Sequence, residues 1–537
     1  MYILYGWIFC RWITDVCAKG RLKKQIVVNN PNLYCLQSVV YYNYRADIAH
    51  NNKTEDLQML RTDVFTPSRF TSQGCIEVYG KKIPYNTVAE DTVFYDDDGK
   101  AIASMFTYSY FRSDVENPKE RPVIFCFNGG PGTSSMMVHV GYVGPTRLKY
   151  NVNPDDGCTP LPPYESQDNE YCLLDVADLV VVDPVGTGFG RLIDQSKYDQ
   201  FWGIEADAES FLTMIQKWLD RYNRWESPKY LMGESYGCTR AATIAGMGSL
   251  GGNGRSFSMA FDGLIMIGNT VTKGKHFFDY PPVYAAVTSF PTLAAVHWYH
   301  NHPTEQTLEE FVYEASHWAA TDYLVALFKG EGVVGEEREE VIAKLMHYTG
   351  VSREYIEERN LVVEDVIYRS EVAKNKGLSV SRLDGRLTRP LYEHGIAERQ
   401  RGLGDDPAEG KYDPFFQSVL LGVICPKLNI SWDRNFLSSN GLWAKWNNDI
   451  KGRTTAECVS DAMRRIPNMR VFFMNGWYDL CTETGILWYT MNHATFPKDR
   501  VYFKGYESGH MIYLDEVNVK MVNDDVRKFV TGQDPTK

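Results

Sequence analysis

Residues 233–237 (GESYG) place a serine between two glycines, in the pattern G-x-S-x-G. A buried-strand pattern over 230–232 precedes the motif, and a helical pattern over 239–247 follows it. In such an arrangement a nucleophile sits on a sharp strand-to-helix corner with its hydroxyl exposed. The motif and its placement therefore predict that Ser235 is the nucleophile of an acyl-transfer reaction. An ordinary loop serine is the alternative.

A serine nucleophile needs a base and an acid that orients the base, and at this kind of corner the three follow in the order Ser, Asp, His. His510 lies in a glycine-flanked loop just after a late strand pattern. Asp479 comes shortly after the strand pattern over 469–474. We therefore predict that His510 is the base and that Asp479 orients it. For Asp479 the alternative is an acid in a surface turn.

Acyl transfer also needs donors for the developing oxyanion. Residues 128–132 (NGGPG) follow a strand pattern over 122–127 and contain three glycines, which let the backbone approach a ligand closely. A phosphate-binding loop is the competing interpretation, but the Lys-Ser/Thr pair of such loops does not follow.

Metal ligation has two weak candidates. His297, His300 and His302 lie close together, but no carboxylate or cysteine accompanies them at ligand spacing, so we predict helix packing. Residues 96–100 (DDDGK) resemble the start of a calcium loop, but Thr107 stands where the twelfth-position Glu would be. The sequence therefore predicts a plain turn there, no metal and no organic cofactor.

The strand patterns that precede these motifs are short and continuously apolar. They cover 122–127, 179–182, 230–232 and 263–268, with an amphipathic helix pattern over 204–222 among them. Alternating buried strands and helices predict a doubly wound, mostly parallel α/β sheet. A hairpin pattern over 90–111 precedes these elements, and strand patterns over 469–474 and 500–503 with a helix over 515–530 follow them.

A long helical stretch interrupts this alternation. We predict four segments: 1–64, of unassigned status, 65–275 as the first part of the core, 276–430 as a helical cap insertion, and 431–537 as the second part of the core. The apolar start of the chain is too short to span a bilayer and lacks a small-residue cleavage site.

Composition narrows the class of protein. The 537 residues are 44% hydrophobic and 23% charged, and the net charge is −12. That charge argues against a nucleic-acid binder and against a polybasic membrane binder. Eleven scattered cysteines, none in CxxC spacing, favour a reducing cytoplasmic compartment, with a secreted or periplasmic location as the alternative. The sequence does not fix the oligomeric state, and a homodimer is one of the states left open.

Taken together, the motifs resemble the serine carboxypeptidase family, the group that contains carboxypeptidase Y. The resemblance rests on the ordered motifs NGGPGTSS (128–135), DPVGTGFG (183–190), GESYG (233–237), IGN (267–269), the Asp479 loop and GHM (509–511). It implies an α/β-hydrolase fold with a helical cap and the release of single residues from the C-termini of peptide substrates.

The resemblance also implies roles for individual residues. The catalytic triad would be Ser235, Asp479 and His510. The backbone amides of Gly130 and Tyr236 would be the oxyanion donors. The terminal carboxylate of the substrate would be bound by Asn128, Gly129 and Glu234, and Met511 would line the site beside the histidine.

Two positions differ from the usual family pattern. Thr133 stands where the family usually has a cysteine that is disulfide-bonded to the cap. Residues 136–143 contain no acid, whereas the family usually has one there, hydrogen-bonded to the Glu of the G-x-S-x-G motif. The first difference fits a chain not built around disulfides. The second bears on carboxylate recognition and therefore on exopeptidase specificity.

The sequence thus predicts a serine-type carboxypeptidase that acts on peptides through an acyl-enzyme. An esterase or acyltransferase that uses the same triad is one alternative, because this fold supports several acyl-transfer reactions. A non-catalytic binding protein that has kept the fold is the alternative from another class. Loss of a triad residue would be its usual mark, and all three are present.

Overall fold

The computed structural model describes residues 65–149, 163–250, 258–272, 282–391, 406–431, 434–441, 445–451 and 453–537. The predicted N-terminal segment 1–64 lies outside them. Across these ranges, none of the helices combines the length and the apolar character that crossing a bilayer requires.

One large mixed sheet forms the centre of the protein. Its long strands are β1 (Arg69–Val78), β2 (Lys81–Tyr95), β3 (Ala101–Arg112), β4 (Val123–Phe127), β5 (Asp178–Asp183), β6 (Lys229–Glu234), β7 (Gly263–Ile267), β8 (Arg470–Gly476) and β9 (Val501–Tyr506). Their spatial order is β1-β2-β3-β5-β4-β6-β7-β8-β9, and the short strand Arg191–Leu192 pairs with β3. The six strands from β5 to β9 in this order are mutually parallel, which confirms the predicted fold class.

The first three strands form an antiparallel extension of the sheet. The predicted hairpin corresponds to β2 and β3. The sequence patterns do not predict strand β1, because its residues alternate between exposed and half-buried positions over most of its length and carry little apolar signal.

Helices cover the sheet and fill the sequence between β7 and β8. They are α1 (Ile204–Tyr222), α2 (Tyr236–Ser249), α3 (Pro282–Asn301), α4 (Leu308–Trp318), α5 (Leu324–Lys329), α6 (Gly335–Thr349), α7 (Arg353–Glu358), α8 (Asp365–Glu371), α9 (Glu409–Val419), α10 (Thr455–Arg465), α11 (Thr484–His493) and α12 (Glu516–Val530). A two-stranded ribbon, Leu378–Val380 with Thr388–Pro390, follows α8. A π-helical turn, His139–Val143, follows β4.

The parallel strands are buried on both faces, as their continuous apolar sequences require. In β4, Ile124 and Cys126 belong to the apolar layer that includes α12. The alternate residues, such as Phe125, belong to the opposite layer, which includes α1, α2 and α10. Because side chains alternate across a strand, both layers anchor the same short segment.

Residues between α3 and the ribbon build a separate apolar cluster. It unites side chains of helices α3 to α8 with Trp477, Tyr478 and Leu480, which directly follow β8. The helical region is therefore packed against the loop that carries Asp479. That residues 276–430 form a cap with these boundaries stays a prediction.

Candidate active site

Ser235 occupies a tight corner between β6 and α2, which are separated by this single residue. Its backbone has φ 59° and ψ −128°, a conformation that costs energy for a residue with a side chain. Gly233 and Gly237 permit the turn, because a Cβ on Gly233 would overlap the backbone of Gly237. The backbone N–H of Ser235 donates to the carbonyl of Ile267 at 2.9 Å.

Asp479 and His510 form a buried hydrogen-bonded pair. His510 Nδ1 lies 2.8 Å from Asp479 Oδ2. The other carboxylate oxygen of Asp479 accepts from the backbone N–H groups of Cys481 and Thr482, at 2.8 and 3.0 Å. The Thr482 hydroxyl also donates to Asp479 Oδ2. With this many donors the carboxylate is held in one orientation.

The pairing changes how both groups titrate. Burial opposes charge on Asp479, but the attraction of His510 and the hydrogen bonds from His510 and Thr482 outweigh it and hold the pKa of Asp479 below its usual value. Burial likewise acts to lower the pKa of His510, and Asp479 outweighs it, so that the pKa of His510 is raised. The pair therefore stabilises an imidazolium at position 510.

Ser235 and His510 both contact the end of β7. Gly268 follows this strand, and a Cβ there would lie 2.8 Å from both Nδ1 and Cε1 of His510. The residue before it, Ile267, accepts the Ser235 N–H. Since β6, β7, β8 and β9 are neighbours and parallel, the loops after their C-terminal ends meet at one edge of the sheet. The structure thus brings Ser235, Asp479 and His510 to the same edge.

The loop after β4 packs directly on the serine corner. A Cβ on Gly129 would overlap the amide nitrogen of Tyr236 and would lie 2.8 Å from that of Gly237. Gly130 has φ +101°, which favours glycine. Tyr236 is the first residue of α2, so its N–H has no carbonyl partner within the helix. The arrangement suits amide donors aimed at an oxyanion.

A buried ion pair supports this loop. Arg240 on α2 donates to the carbonyl of Asn128 at 2.5 Å and to the carboxylate of Asp207 on α1 at 2.7 Å. Both charged side chains are almost fully buried. The guanidinium also lies 4.7 Å from the ring centre of Phe211. Arg240 therefore fixes the peptide that enters the NGGPG loop.

Glu234, the residue before the serine, has neutral donors on both carboxyl oxygens. Asn128 Nδ2 donates to Oε1 at 2.7 Å, and the Tyr513 hydroxyl donates to Oε2. Burial is the main reason why the pKa of Glu234 is raised, to about 7. A Cβ on Gly129 would lie 2.8 Å from the Glu234 carbonyl, so the three residues predicted to bind a carboxylate are together. Met511 is buried beside His510 in sequence.

Comparison with known proteins shows which family and which proteins the chain is similar to. Residues 87–318 match the serine carboxypeptidase family model. Serine carboxypeptidase-like 20 of Arabidopsis thaliana is 30% identical over 169 residues, which are 31% of this chain and 32% of that protein. The pheromone-processing carboxypeptidase kex1 of Neosartorya fischeri is 30% identical over 141 residues, 26% of this chain and 20% of that protein.

Over residues 87–318 the chain is similar to the serine carboxypeptidase family. The resemblance predicted from the motifs is thereby confirmed. A crystal structure of Kex1Δp, a prohormone-processing carboxypeptidase of Saccharomyces cerevisiae, covers 86% of this chain and 91% of that chain, with 15% identity and a TM-score of 0.50. The predicted α/β-hydrolase fold is confirmed.

The chain spans about a third or less of the length of the curated relatives that it matches. The family match includes the NGGPG loop and Ser235, whereas Asp479 and His510 lie beyond its last residue. Assignment of the acid and the base therefore rests on sequence motifs and on the geometry described above.

At Thr133, where the serine carboxypeptidase family usually has a disulfide-bonded cysteine, this chain has backbone hydrogen bonds. Thr133 forms an antiparallel β-bridge with Ser439. The N–H of Ser134 donates to the carbonyl of Ser438 at 2.9 Å. All cysteines in the described ranges are free thiols. Peptide groups thus connect this loop to the segment 437–440.

A turn of the ribbon after α8 supports the loops of both Asp479 and His510. The carbonyl of Leu383 accepts the N–H of His510 at 2.6 Å. Two residues later, the N–H of Gly385 donates to the carbonyl of Tyr478 at 2.8 Å. One turn therefore positions the acid loop and the histidine loop relative to each other.

The described residues offer one cluster with metal-ligand chemistry. Asp479, Cys481 and His510 have ligand atoms within 4.8 Å of one another. Within this cluster Asp479 and His510 are hydrogen-bonded to each other, and burial raises the pKa of the Cys481 thiol to about 12.

The histidines of α3 have other partners. His297 Nδ1 accepts from Asn301 at 2.9 Å, and burial lowers the pKa of His297 to about 4. His300 Nε2 lies 2.7 Å from the carbonyl of Gly385. Both rings are thus part of the packing between α3 and its neighbours.

Sequence reasoning missed two residues of this site. Arg240 carries a detectable signal, since it is a lone charge in an otherwise apolar or small-residue helix over 236–249. Tyr513 carries none, because an aromatic residue close to a buried helix is typical of ordinary core. Only the fold shows that its hydroxyl reaches Glu234.

Proposed function

We propose that the protein is a serine-type carboxypeptidase that releases C-terminal residues from peptides through an acyl-enzyme. The observation that carries this proposal is the position of Glu234. A buried carboxyl with a pKa of about 7 directly precedes the predicted nucleophile and is oriented by Asn128. It can present a proton to the terminal carboxylate of a peptide whose last bond lies at Ser235.

In the proposed mechanism, the Ser235 oxygen forms a bond to the carbonyl carbon of the last peptide bond while His510 takes the hydroxyl proton. The amides of Gly130 and Tyr236 stabilise the oxyanion. His510 then gives the proton to the leaving amino group, and the terminal residue departs. Water, deprotonated by His510, attacks the acyl-enzyme and regenerates Ser235. Asp479 keeps the imidazole oriented throughout.

Substrate recognition follows from the charge on Glu234. Two ionised carboxylates in contact repel each other, so Glu234 binds a terminal carboxylate only when it carries a proton. Peptide amides and simple esters, which have no terminal carboxylate, do not need that proton. The same active site therefore treats the two kinds of substrate differently as the pH changes.

We expect the KM of an N-blocked dipeptide to rise as the pH increases through about 7, because Glu234 loses its proton there. The KM of the corresponding dipeptide amide should change little. In Glu234→Gln, whose side chain does not titrate, the KM of the dipeptide acid should become independent of pH. Steady-state kinetics on both substrates measure this. Parallel profiles in the wild type would contradict the role of Glu234.

The expected loss of activity at low pH has a different origin from the rise in KM. Since the pKa of His510 is raised, the histidine becomes protonated at a higher pH than a free imidazole does. Protonated His510 cannot act as a base, so kcat should fall toward low pH for acids, amides and esters alike.

An esterase or acyltransferase on the same triad is the second candidate. It is favoured by the absence of an acid in residues 136–143, since a less specialised carboxylate site would suit other acyl groups. Incubation with N-blocked dipeptides and with matched esters separates the two, with released amino acids identified by mass. Turnover of esters alone would support the alternative. Peptides are the proposed binding partners. Whether the protein forms a homodimer is left open.

A further inference from the structure

Tyr513 holds a fixed position beside Glu234. Its ring is buried and stacks on Tyr142, with ring centres 5.1 Å apart and an angle of 11° between the planes. On another side lies Gly141, where a Cβ would be 2.8 Å from Tyr513 Cε2 and 2.9 Å from Phe416 Cε1. Both distances are shorter than real Cβ contacts, so a side chain at 141 would displace the ring of Tyr513 as well as that of Phe416.

This packing determines where the Tyr513 hydroxyl points. The hydroxyl donates to Glu234 Oε2, while Asn128 donates to the other oxygen. The stretch 136–143, which lacks the acid usual in the family, thus supplies a space at Gly141 and a stacking partner at Tyr142. The space is occupied by a tyrosine from another part of the chain.

A phenol and a carboxyl act on Glu234 in opposite ways. A second carboxyl would share a proton with Glu234 and keep it protonated to higher pH, whereas a hydroxyl donor stabilises the ionised form. The other titratable groups that act on Glu234 are His510, which favours its ionised form, Asp479, which opposes it, and Cys238 on α2. Among these groups and Tyr513, only the tyrosine is hydrogen-bonded to the carboxyl.

We propose that Tyr513 is a positioning residue that orients the Glu234 carboxyl and sets the pH range in which the site binds a terminal carboxylate. The proposal rests on the proposed function of Glu234. Its consequence is that this site loses affinity for peptide acids at a lower pH than it would without the Tyr513 hydroxyl.

The test measures binding without turnover. In a Ser235→Ala background, the Kd of an N-benzyloxycarbonyl dipeptide and of its C-terminal amide is measured by calorimetry across the pH range. A hydrogen bond to a charged group stabilises the ionised form, so removing it by Tyr513→Phe should move the pH midpoint for the acid upward by about one unit or more. Binding of the amide should keep its pH dependence.

Tyr142→Phe is the matched control. The Tyr142 hydroxyl is buried and has no hydrogen-bond partner in the described part of the chain, so its removal should leave the midpoint unchanged. Gly141→Ala tests the same idea without altering Tyr513. The added methyl group displaces the ring, and the midpoint should again rise. This variant also covers the case in which Tyr513→Phe does not fold.

Two results would overturn the inference: a midpoint that stays in place or falls in Tyr513→Phe or Gly141→Ala, or an equal shift in Tyr142→Phe. Failure of the proposed function looks different. In that case the active enzyme with Ser235 releases no amino acid from the dipeptide, whatever the binding curves show. A wild-type site that binds acid and amide alike at every pH would refute both carboxylate recognition and the role of Tyr513.

Discussion

Ser235→Ala is expected to lower kcat for peptide substrates by about 10⁴- to 10⁶-fold and to leave KM within a few-fold of the wild type. The change removes the proposed nucleophile but leaves the corner, the oxyanion amides and Glu234 in place. His510→Ala should have a similar effect. Asp479→Asn should cost somewhat less, since the histidine remains but loses the carboxylate that orients it. Discontinuous assays, in which the released amino acids are quantified by mass spectrometry, measure these losses of kcat.

Covalent labelling tests the assignment independently of the substrate. A fluorophosphonate probe should label the wild type and fail to label Ser235→Ala. Ser134→Ala is a suitable control, since this nearby buried hydroxyl has no hydrogen-bond partner among the residues described, and it should keep both labelling and activity. Labelling that persists in Ser235→Ala would place the nucleophile elsewhere.

Arg240→Met is expected to reduce the free energy of unfolding by about 3–5 kcal/mol, because it leaves the Asp207 carboxylate buried without its cation. It also removes the hydrogen bond to the carbonyl of Asn128, so kcat should fall along with stability. Urea denaturation followed by fluorescence gives the first quantity and peptide hydrolysis at low temperature the second.

An exposed pair is the control for the stability effect. Arg353 Nη2 lies 2.8 Å from Glu339 Oε2, and 40% and 60% of the two side chains are exposed. Arg353→Met should change the free energy of unfolding by no more than about 1 kcal/mol. If Arg240→Met were equally mild, the buried pair would not be what holds the NGGPG loop. Loss of stability with unchanged kcat would limit Arg240 to a structural role.

The parallel part of the fold was predictable because its strands are buried on both faces. A short, continuous apolar run such as that of β5 is typical of a strand covered on both sides, and a glycine-flanked serine after such a run marks the corner at Ser235. The candidate acid and base could be chosen by the same logic, since each follows a late strand.

The features that sequence reasoning did not predict depend on contacts that local sequence patterns do not encode. Strand β1 lies at the edge of the sheet and needs no apolar face to pair with β2. The hydrogen bond from Tyr513 to Glu234 joins residues 279 positions apart in the chain. Its geometry depends on a glycine at 141 whose only contribution is the absence of a side chain. Such a relation becomes visible only when the two segments are seen side by side.

The turn that contains Leu383 and Gly385 has a consequence for how the proposed enzyme could acquire new substrates. Its backbone bonds to the Tyr478 and His510 loops make it part of the frame that holds the proposed acid and base, although it lies within residues 276–430, which the sequence predicts to be a helical cap. Replacing that region with the corresponding region of a relative would therefore change both the substrate selectivity and the alignment of Asp479 with His510. Directed evolution of new substrate preferences should succeed when it varies helices α4 to α7 and spares this turn. Libraries that include the turn should instead yield mostly slow enzymes with intact binding.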